Sequence, residues 1–246
     1  MVSAARAGAN VITNSYGGSE GHPIAPPQFN QPGRVIVASA GDQGGGELYG
    51  GGPQMPCSYA NVVCVGGTRL THIGSTWSER VWNDLASQLC GVTCGGTGSG
   101  CSVVVPKPSW QDGAIADSDS SPRSSTICTM RAEADVSADA SPLTPFAIYS
   151  SQFRFEFGSS WQAFGGTSLA APLIAGIFGL AENAASRHGA LEIWKAHAHL
   201  RNVTVGDNIY LPLTGRCASP VHYICYAGKG FNGPTGWGTP DGIASF

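Results

Sequence analysis

The chain is poor in charge. Of its 246 residues, 13 are Lys or Arg and 16 are Asp or Glu, for a formal net charge of -3. A charged share of 12% is about half that of ordinary soluble domains. No basic patch or stripe is present, so nucleic acid is not an expected partner. Long apolar runs are missing too. No stretch of about eighteen apolar residues offers a membrane span, and no membrane partner is expected. The opening MVSAARAGAN lacks the apolar centre of a signal peptide, so a secretion signal would lie upstream or have been removed. Nor do paired histidines join any cysteine spacing into a zinc site. The cysteines at 57, 64, 90, 94, 101, 128, 217 and 225 are even in number and read as disulfides of an oxidising compartment, hence an extracellular, secreted protein. Their connectivity is not fixed by sequence; the one local pairing singled out is Cys217 with Cys225.

An apolar content of 42% is enough for one substantial core, and the expected organisation is one domain over 1–246. The 35 glycines and 16 prolines fall between apolar runs, where tight turns belong. NVIT (10–13), RVIVASAG (34–41) and NVVCVGGT (61–68) are short, β-branched and closed by Gly, Ser or Thr, as buried parallel strands are. FAIYS and FRFEF read as the two arms of a hairpin. SLAAPLIAGIFGLAENAASRH, from Ser168 to about His188, is a central helix, buried at first and polar at its end. A shorter helix near 189–201 and a long, turn-rich tail follow.

Ser168 begins that helix. A Thr-Ser pair before a helix is, taken alone, an N-cap that satisfies an orphan backbone donor. Other features point to chemistry. Gly165 and Gly166 allow close backbone approach, Pro172 sits in the first turns, and Ser168 lies at the positive end of the helix dipole. A nucleophile placed there gains electrostatic help for developing negative charge.

GGTSLAAPLIAG resembles the nucleophile signature of the subtilase superfamily, and its surroundings resemble the sedolisin, or serine-carboxyl peptidase, branch. VITNSYGG, VIVASAGDQGG, PCSYANVVCVGGT, GTGSGCSVVVPKPSWQ and RAEADVSADASPLTPFAIY resemble further motifs of that branch, in order along the chain. The resemblance implies an α/β fold: a subtilisin-like, doubly wound, mostly parallel sheet with helices on both faces, lacking the N-terminal part of the usual domain. It implies Ser168 as nucleophile and Asp42 as oxyanion-hole partner, a role open to a carboxyl group only when protonated. It places Ser15, Tyr16 and Gly17 on one wall of a substrate groove, and Ser99 and Gly100 on the other as an edge for an extended peptide. Gly166 and Thr167 adjoin the nucleophile as substrate-binding residues.

Two departures from the family stand out. The Glu and Asp that activate the family's serine precede the strand matching VITNSYGG, and no counterpart is found here; Glu79 and Asp84 match positions outside the catalytic set. The histidines at 22, 72, 188, 197, 199 and 222 match no functional position. The family also holds calcium near its C-terminus with two aspartates and several carbonyls. Asn202 and Asn232 stand in the aspartate places, beside carbonyls of Val203, Gly228 and Gly230. A degenerate site without formal charge should bind calcium weakly or not at all; no other cofactor is expected. The functional expectations are a serine peptidase working through an acyl-enzyme, an esterase for small or activated esters using the same serine, and a non-catalytic peptide-binding domain. Expected partners are a peptide or ester substrate and either a second copy of the chain or a missing N-terminal segment.

Overall fold

Short β-branched runs build the central sheet, as their pattern predicts. The computed structural model describes residues 1–45, 52–87, 89, 94–112, 128–182, 189–209 and 224–246. Its strands begin with β1 (Val11–Asn14), β2 (Gly18–Ser19), β3 (Val35–Ser39), β4 (Gln54–Met55), β5 (Val62–Ile73) and β6 (Thr76–Val81). They continue with β7 (Gly100–Pro106), β8 (Met130–Glu133), β9 (Val136–Asp139), β10 (Phe146–Tyr149), β11 (Trp161–Phe164), β12 (Leu200–Arg201) and β13 (Thr239–Pro240). The helices are α1 (Val2–Arg6), α2 (Phe153–Phe157), α3 (Thr167–Leu180) and α4 (Ala190–Lys195).

β1, β3 and β5 lie side by side and parallel; β9 joins β5 in parallel, and β6 extends it antiparallel. This is the mostly parallel α/β sheet expected. Side chains alternate across it with period two. Val35, Val37, Val63 and Val65 face α3, while Ile36, Ala38, Val62 and Cys64 face the other side. On α3, Ala170, Ala171, Ile174 and Phe178 are fully buried against the first set. The two alanines allow the helix to sit close to the strands, and Ile174 and Phe178 fill the space beyond them. The opposite face is covered by Phe29 of a single 3₁₀ turn, Tyr59, Met1 at the start of α1, and the Cys57–Cys64 disulfide, which ties the turn before β5 onto that strand.

Local chemistry departs from expectation in three places. FRFEF is the helix α2, not a strand: Phe153 and Phe157, one turn apart, meet edge to face at 5.8 Å, and Gly158 ends the helix at φ 76. The hairpin partner of β10 is instead β11, with Tyr149 opposite Trp161. The helix expected over 189–201 is shorter, because α4 gives way to a 3₁₀ turn at His197–His199 and then to β12. The central helix, expected to run to about His188, ends at Leu180, where Ala181 caps it and Glu182 takes φ 56; Cys217 lies outside the described residues. Cys57–Cys64 and Cys101–Cys128 are disulfides, Cys94 and Cys225 are disulfide-bonded, and no described cysteine is free.

The RAEAD segment plants two carboxylates in the interior. Asp135 accepts from Arg131 Nη2 at 2.7 and 2.9 Å, from Trp194 Nε1 at 2.7 Å and from the Cys64 N–H at 2.8 Å. That carboxylate is fully paired. Glu133 is completely buried with its Oε1 against the Ser58 hydroxyl, and its Oε2 has no partner. Burial pushes the Glu133 carboxyl up to about 8, the Arg131 charge opposing this only in part. Hydrogen-bond accounting agrees. Ser58 Oγ also lies 3.1 Å from the Gln54 carbonyl, and its one proton cannot serve two acceptors. A protonated Glu133 donates to Ser58, which is then free to donate to Gln54.

Between pH 4.5 and about 8 an unfolded chain gives up the Glu133 proton while the folded chain keeps it, so stability falls as pH rises through that window. Desolvation shifts Asp139 in the same direction. Thermal unfolding should therefore show a lower melting temperature at the top of the window than at its foot. Glu133→Gln should flatten the difference by on the order of 5 kcal/mol. An unchanged slope in that variant would show that Glu133 does not carry the effect.

Candidate active site

Parallel strands present their chemistry at their carboxyl ends, where the connecting loops gather. β1 runs into Ser15–Glu20, β3 runs into Ala40–Gln43, and the N-terminus of α3 meets both. A cleft of about 700 Å³ opens at this junction; Ser15, Tyr16, Glu20, Asp42, Gln54 and Ser168 are among its lining residues.

Gly166, not Ser168, is the N-cap of α3, with φ 91 and no capping side chain of its own. The cap comes from across the sheet. Asp42 Oδ1 accepts from the Thr167 N–H at 2.8 Å and from Thr167 Oγ1 at 2.6 Å, and Thr167 Oγ1 in turn accepts from the Gly41 N–H at 3.1 Å. A carboxylate from the β3 loop thus satisfies the first donor of a buried helix, where the helix dipole favours it. Asp42 Oδ2 has no hydrogen-bond partner among the described residues. Glycine at 166 is required twice, by its φ and because a Cβ there would lie 2.7 Å from Asp42 Oδ2.

With Asp42 capping the helix, the Ser168 hydroxyl is free of that duty. It is exposed at the second position of α3 and accepts a hydrogen bond from the Ser15 hydroxyl. Ser168, Asp42, Ser15, Tyr16, Gly17 and Thr167 therefore share one cleft, whereas Gly166, also expected there, is buried and is not among its lining residues. Ser99 and Gly100 do not line it. Ser99 is buried, donating to the Ile224 carbonyl at 2.6 Å and accepting from Asn208 Nδ2 at 2.8 Å, and Gly100 packs on Pro53. Both are walled off because β7 turns its Ser99–Gly100 end toward the C-terminal segment; Val103 of the same strand reaches the cleft instead.

Sequence reading missed Glu20, Gln43 and Gln54 as cleft residues. Glu20 stands five residues beyond Ser15, and a lone acid in a turn carries no sequence signal for a site. Glu79 and Asp84 have structural duties. Glu79 accepts from Thr68 Oγ1 at 2.6 Å and Thr239 Oγ1 at 2.7 Å, and Asp84 pairs with Arg69 at 3.3 Å and accepts from Trp82 Nε1 at 2.9 Å. No histidine lines the cleft among the described residues; His72 stacks on Trp77 and His197 on Trp237.

The C-terminal loops close on themselves. Asn202 Nδ2 donates to the Gly230 carbonyl at 2.7 Å, and Asn202 Oδ1 accepts from the Gly230 N–H at 2.9 Å. Asn232 Nδ2 donates to the carbonyls of Val203 at 3.1 Å and Gly228 at 3.5 Å, while its Oδ1 accepts from Thr235 N–H and Oγ1 at 3.1 and 2.8 Å. These reciprocal bonds fix both amide orientations. Each carbonyl that a cation would need receives an amide N–H, and neither asparagine brings charge. The residues do not fit calcium.

The "Subtilase family" profile matches residues 1–210. The chain belongs to the subtilase family. Within it the chain stands on the sedolisin branch: it is 32% identical over 232 residues to sedolisin of Pseudomonas sp. (strain 101) and 31% identical over 200 residues to xanthomonalisin of Xanthomonas sp. (strain T-22). These matches cover 85% and 76% of this chain, and 34% and 21% of those proteins, so the chain spans only about a third and a fifth of these curated relatives' length. Pseudomonas sedolisin, a serine-carboxyl proteinase solved with two molecules of pseudo-iodotyrostatin, superposes with a TM-score of 0.69 at 28% identity, over 98% of this chain and 65% of that one.

The closed asparagine loops make a testable statement about the metal. Calcium or a chelator should each move the melting temperature by less than about 1 °C, whereas Asn202→Asp combined with Asn232→Asp should create a calcium-dependent rise. A large calcium-dependent rise in the unaltered protein would show that the amides swing aside for a cation.

Proposed function

We propose that the chain is a serine hydrolase that transfers acyl groups through Ser168, with peptides of the kind cleaved by sedolisin-type peptidases as substrates. The observation that carries this is the Asp42–Thr167 link, which frees the serine hydroxyl from capping and sets a carboxyl group beside it. Ser168 Oγ attacks the acyl carbon as its proton passes to solvent water, the carbonyl oxygen becomes an oxyanion, and collapse of that oxyanion breaks the bond to the leaving amine or alcohol, which takes a proton from solvent. The amide end of α3 lies within reach of that charge. Asp42, held through Oδ1, turns the unpartnered Oδ2 to the same pocket; protonated there, it donates to the oxyanion, and ionised it would repel it. Ser15 holds the Ser168 rotamer through its hydroxyl and is a positioning residue.

The described cleft offers no base for the serine proton. Asp42 is committed to Thr167, and Glu20 to β7. An amine leaving group needs a proton and an alcohol or phenol needs much less, so esters with good leaving groups should turn over faster than amides. This is the observation favouring esterase activity as the second reading. The disulfides agree with a secreted protein, and among the described residues no helix is long and apolar enough to cross a membrane.

A p-nitrophenyl ester and a chromogenic peptide, assayed from acid to neutral pH, test the assignment. Ser168→Ala should abolish turnover of both. Asp42→Ala should lower kcat by about 100- to 1,000-fold, the usual cost of an oxyanion donor. Asp42→Asn, whose amide keeps an acceptor for Thr167 and can donate to the oxyanion, should retain more activity than Asp42→Ala. Ser15→Ala should cost about 5-fold. Turnover that survives Ser168→Ala undiminished would remove the serine from the mechanism.

A further inference from the structure

We propose that Glu20 is a specificity-determining residue, its carboxylate selecting a peptide that places a lysine or arginine side chain in the cleft; this rests on the peptide-hydrolase reading above. Glu20 leaves the β1 turn and lines the cleft, half-buried. Its Oε1 accepts from Ser102 Oγ at 2.6 Å and its Oε2 from the Val103 N–H at 2.7 Å. Ser102 Oγ is itself fixed by the N–H groups of Val104 and Val105, at 3.2 and 2.7 Å. The carboxylate is therefore braced by the backbone of β7 before any ligand arrives, and binding need not order it.

Both braces are neutral donors. Among the described residues no Lys, Arg or His forms an ion pair with Glu20. An ionised carboxylate presents about four acceptor sites, and only two are in use here. Among the described residues nothing compensates the charge, and the concavity partly excludes water.

The remaining lining sharpens the preference. Among the described residues it contains the neutral amides of Gln43 and Gln54 and no Lys, Arg or His. Glu133 lies behind the same wall, near enough for Glu20 to oppose its ionisation. A glutamate or aspartate side chain of a substrate would meet like charge with no donor cation, while a lysine ammonium or arginine guanidinium would find a fixed acceptor. Tyr16, exposed on the same wall, offers a ring face for the aliphatic stem.

Fluorogenic peptides in which each position around the scissile bond is in turn Lys, Ala or Glu read the preference out. The same peptides, bound to the Ser168→Ala protein and followed by fluorescence anisotropy, separate recognition from catalysis. At one position Lys should exceed Ala by roughly 10- to 100-fold, with Glu weakest. Glu20→Gln, which keeps an acceptor for the β7 brace, should abolish the Lys preference while leaving the Ala peptide within about 3-fold, and Glu20→Lys should favour the Glu peptide. Unchanged melting temperatures establish that the variants fold. Lys, Ala and Glu peptides handled alike, a Lys preference indifferent to Glu20→Gln, or no binding of any of them would overturn the proposal. Selective binding without Ser168-dependent turnover would sink the hydrolase reading and leave this one standing; turnover without Lys selectivity would do the reverse.

Discussion

One carboxylate holds the site together. Asp42 stands at the end of a buried parallel strand and caps the helix that begins at Thr167, so the last residue pairs of the sheet and the first turn of α3 are fixed by a single group. Capping a helix from another element does two things that a local Ser or Thr cap cannot. It ties two distant parts of the chain, 125 residues apart, into one register, and it releases the hydroxyl at Ser168 from a structural duty. The close approach this needs explains the glycine at 166, where any side chain would strike the carboxylate.

The acid-facing character of the molecule recurs away from the cleft. Glu133 lies wholly buried with one oxygen unpartnered, a costly arrangement for a charge and a tolerable one for a neutral carboxyl. A fold that keeps this proton loses the stability it brings as the pH rises toward about 8. The C-terminal loops show a comparable substitution of neutral groups for ions: two side-chain amides supply N–H groups to the carbonyls that a cation would otherwise bridge. Hydrogen bonds to carbonyls are weaker individually than cation coordination, but they require no metal supply and no formal charge in the interior.

Much of this was legible in the residue pattern, and the failures have physical causes. The three buried parallel strands and α3 were readable because β-branched runs and a long apolar helix depend on local periodicity. Ser168 and Asp42 were nameable from their motifs, yet nothing in the sequence shows that they meet through Thr167, because that contact joins residues far apart in the chain. FRFEF deceived because its aromatic residues suit a strand, whereas the edge-to-face contact of Phe153 with Phe157 one turn on, and Gly158 behind, suit a helix. Ser99 and Gly100 were misplaced for a related reason: their type suits a groove, but the inward turn of β7 is set by Asn208 and Ile224, more than a hundred residues away. Glu20 was overlooked because a lone acid in a turn reads as solvated surface, and only its brace on β7 marks it as held.

The central claim is that Ser168 and Asp42 act on one acyl group, the first through Oγ and the second through Oδ2. A crystal structure with a peptide aldehyde bound tests this most directly. The account predicts a hemiacetal bond from Ser168 Oγ to the aldehyde carbon, with the new oxygen within hydrogen-bond distance of Asp42 Oδ2 and the Asp42–Thr167 bonds intact. An aldehyde left unbonded in the cleft, or a hemiacetal oxygen pointing away from Asp42, would contradict it.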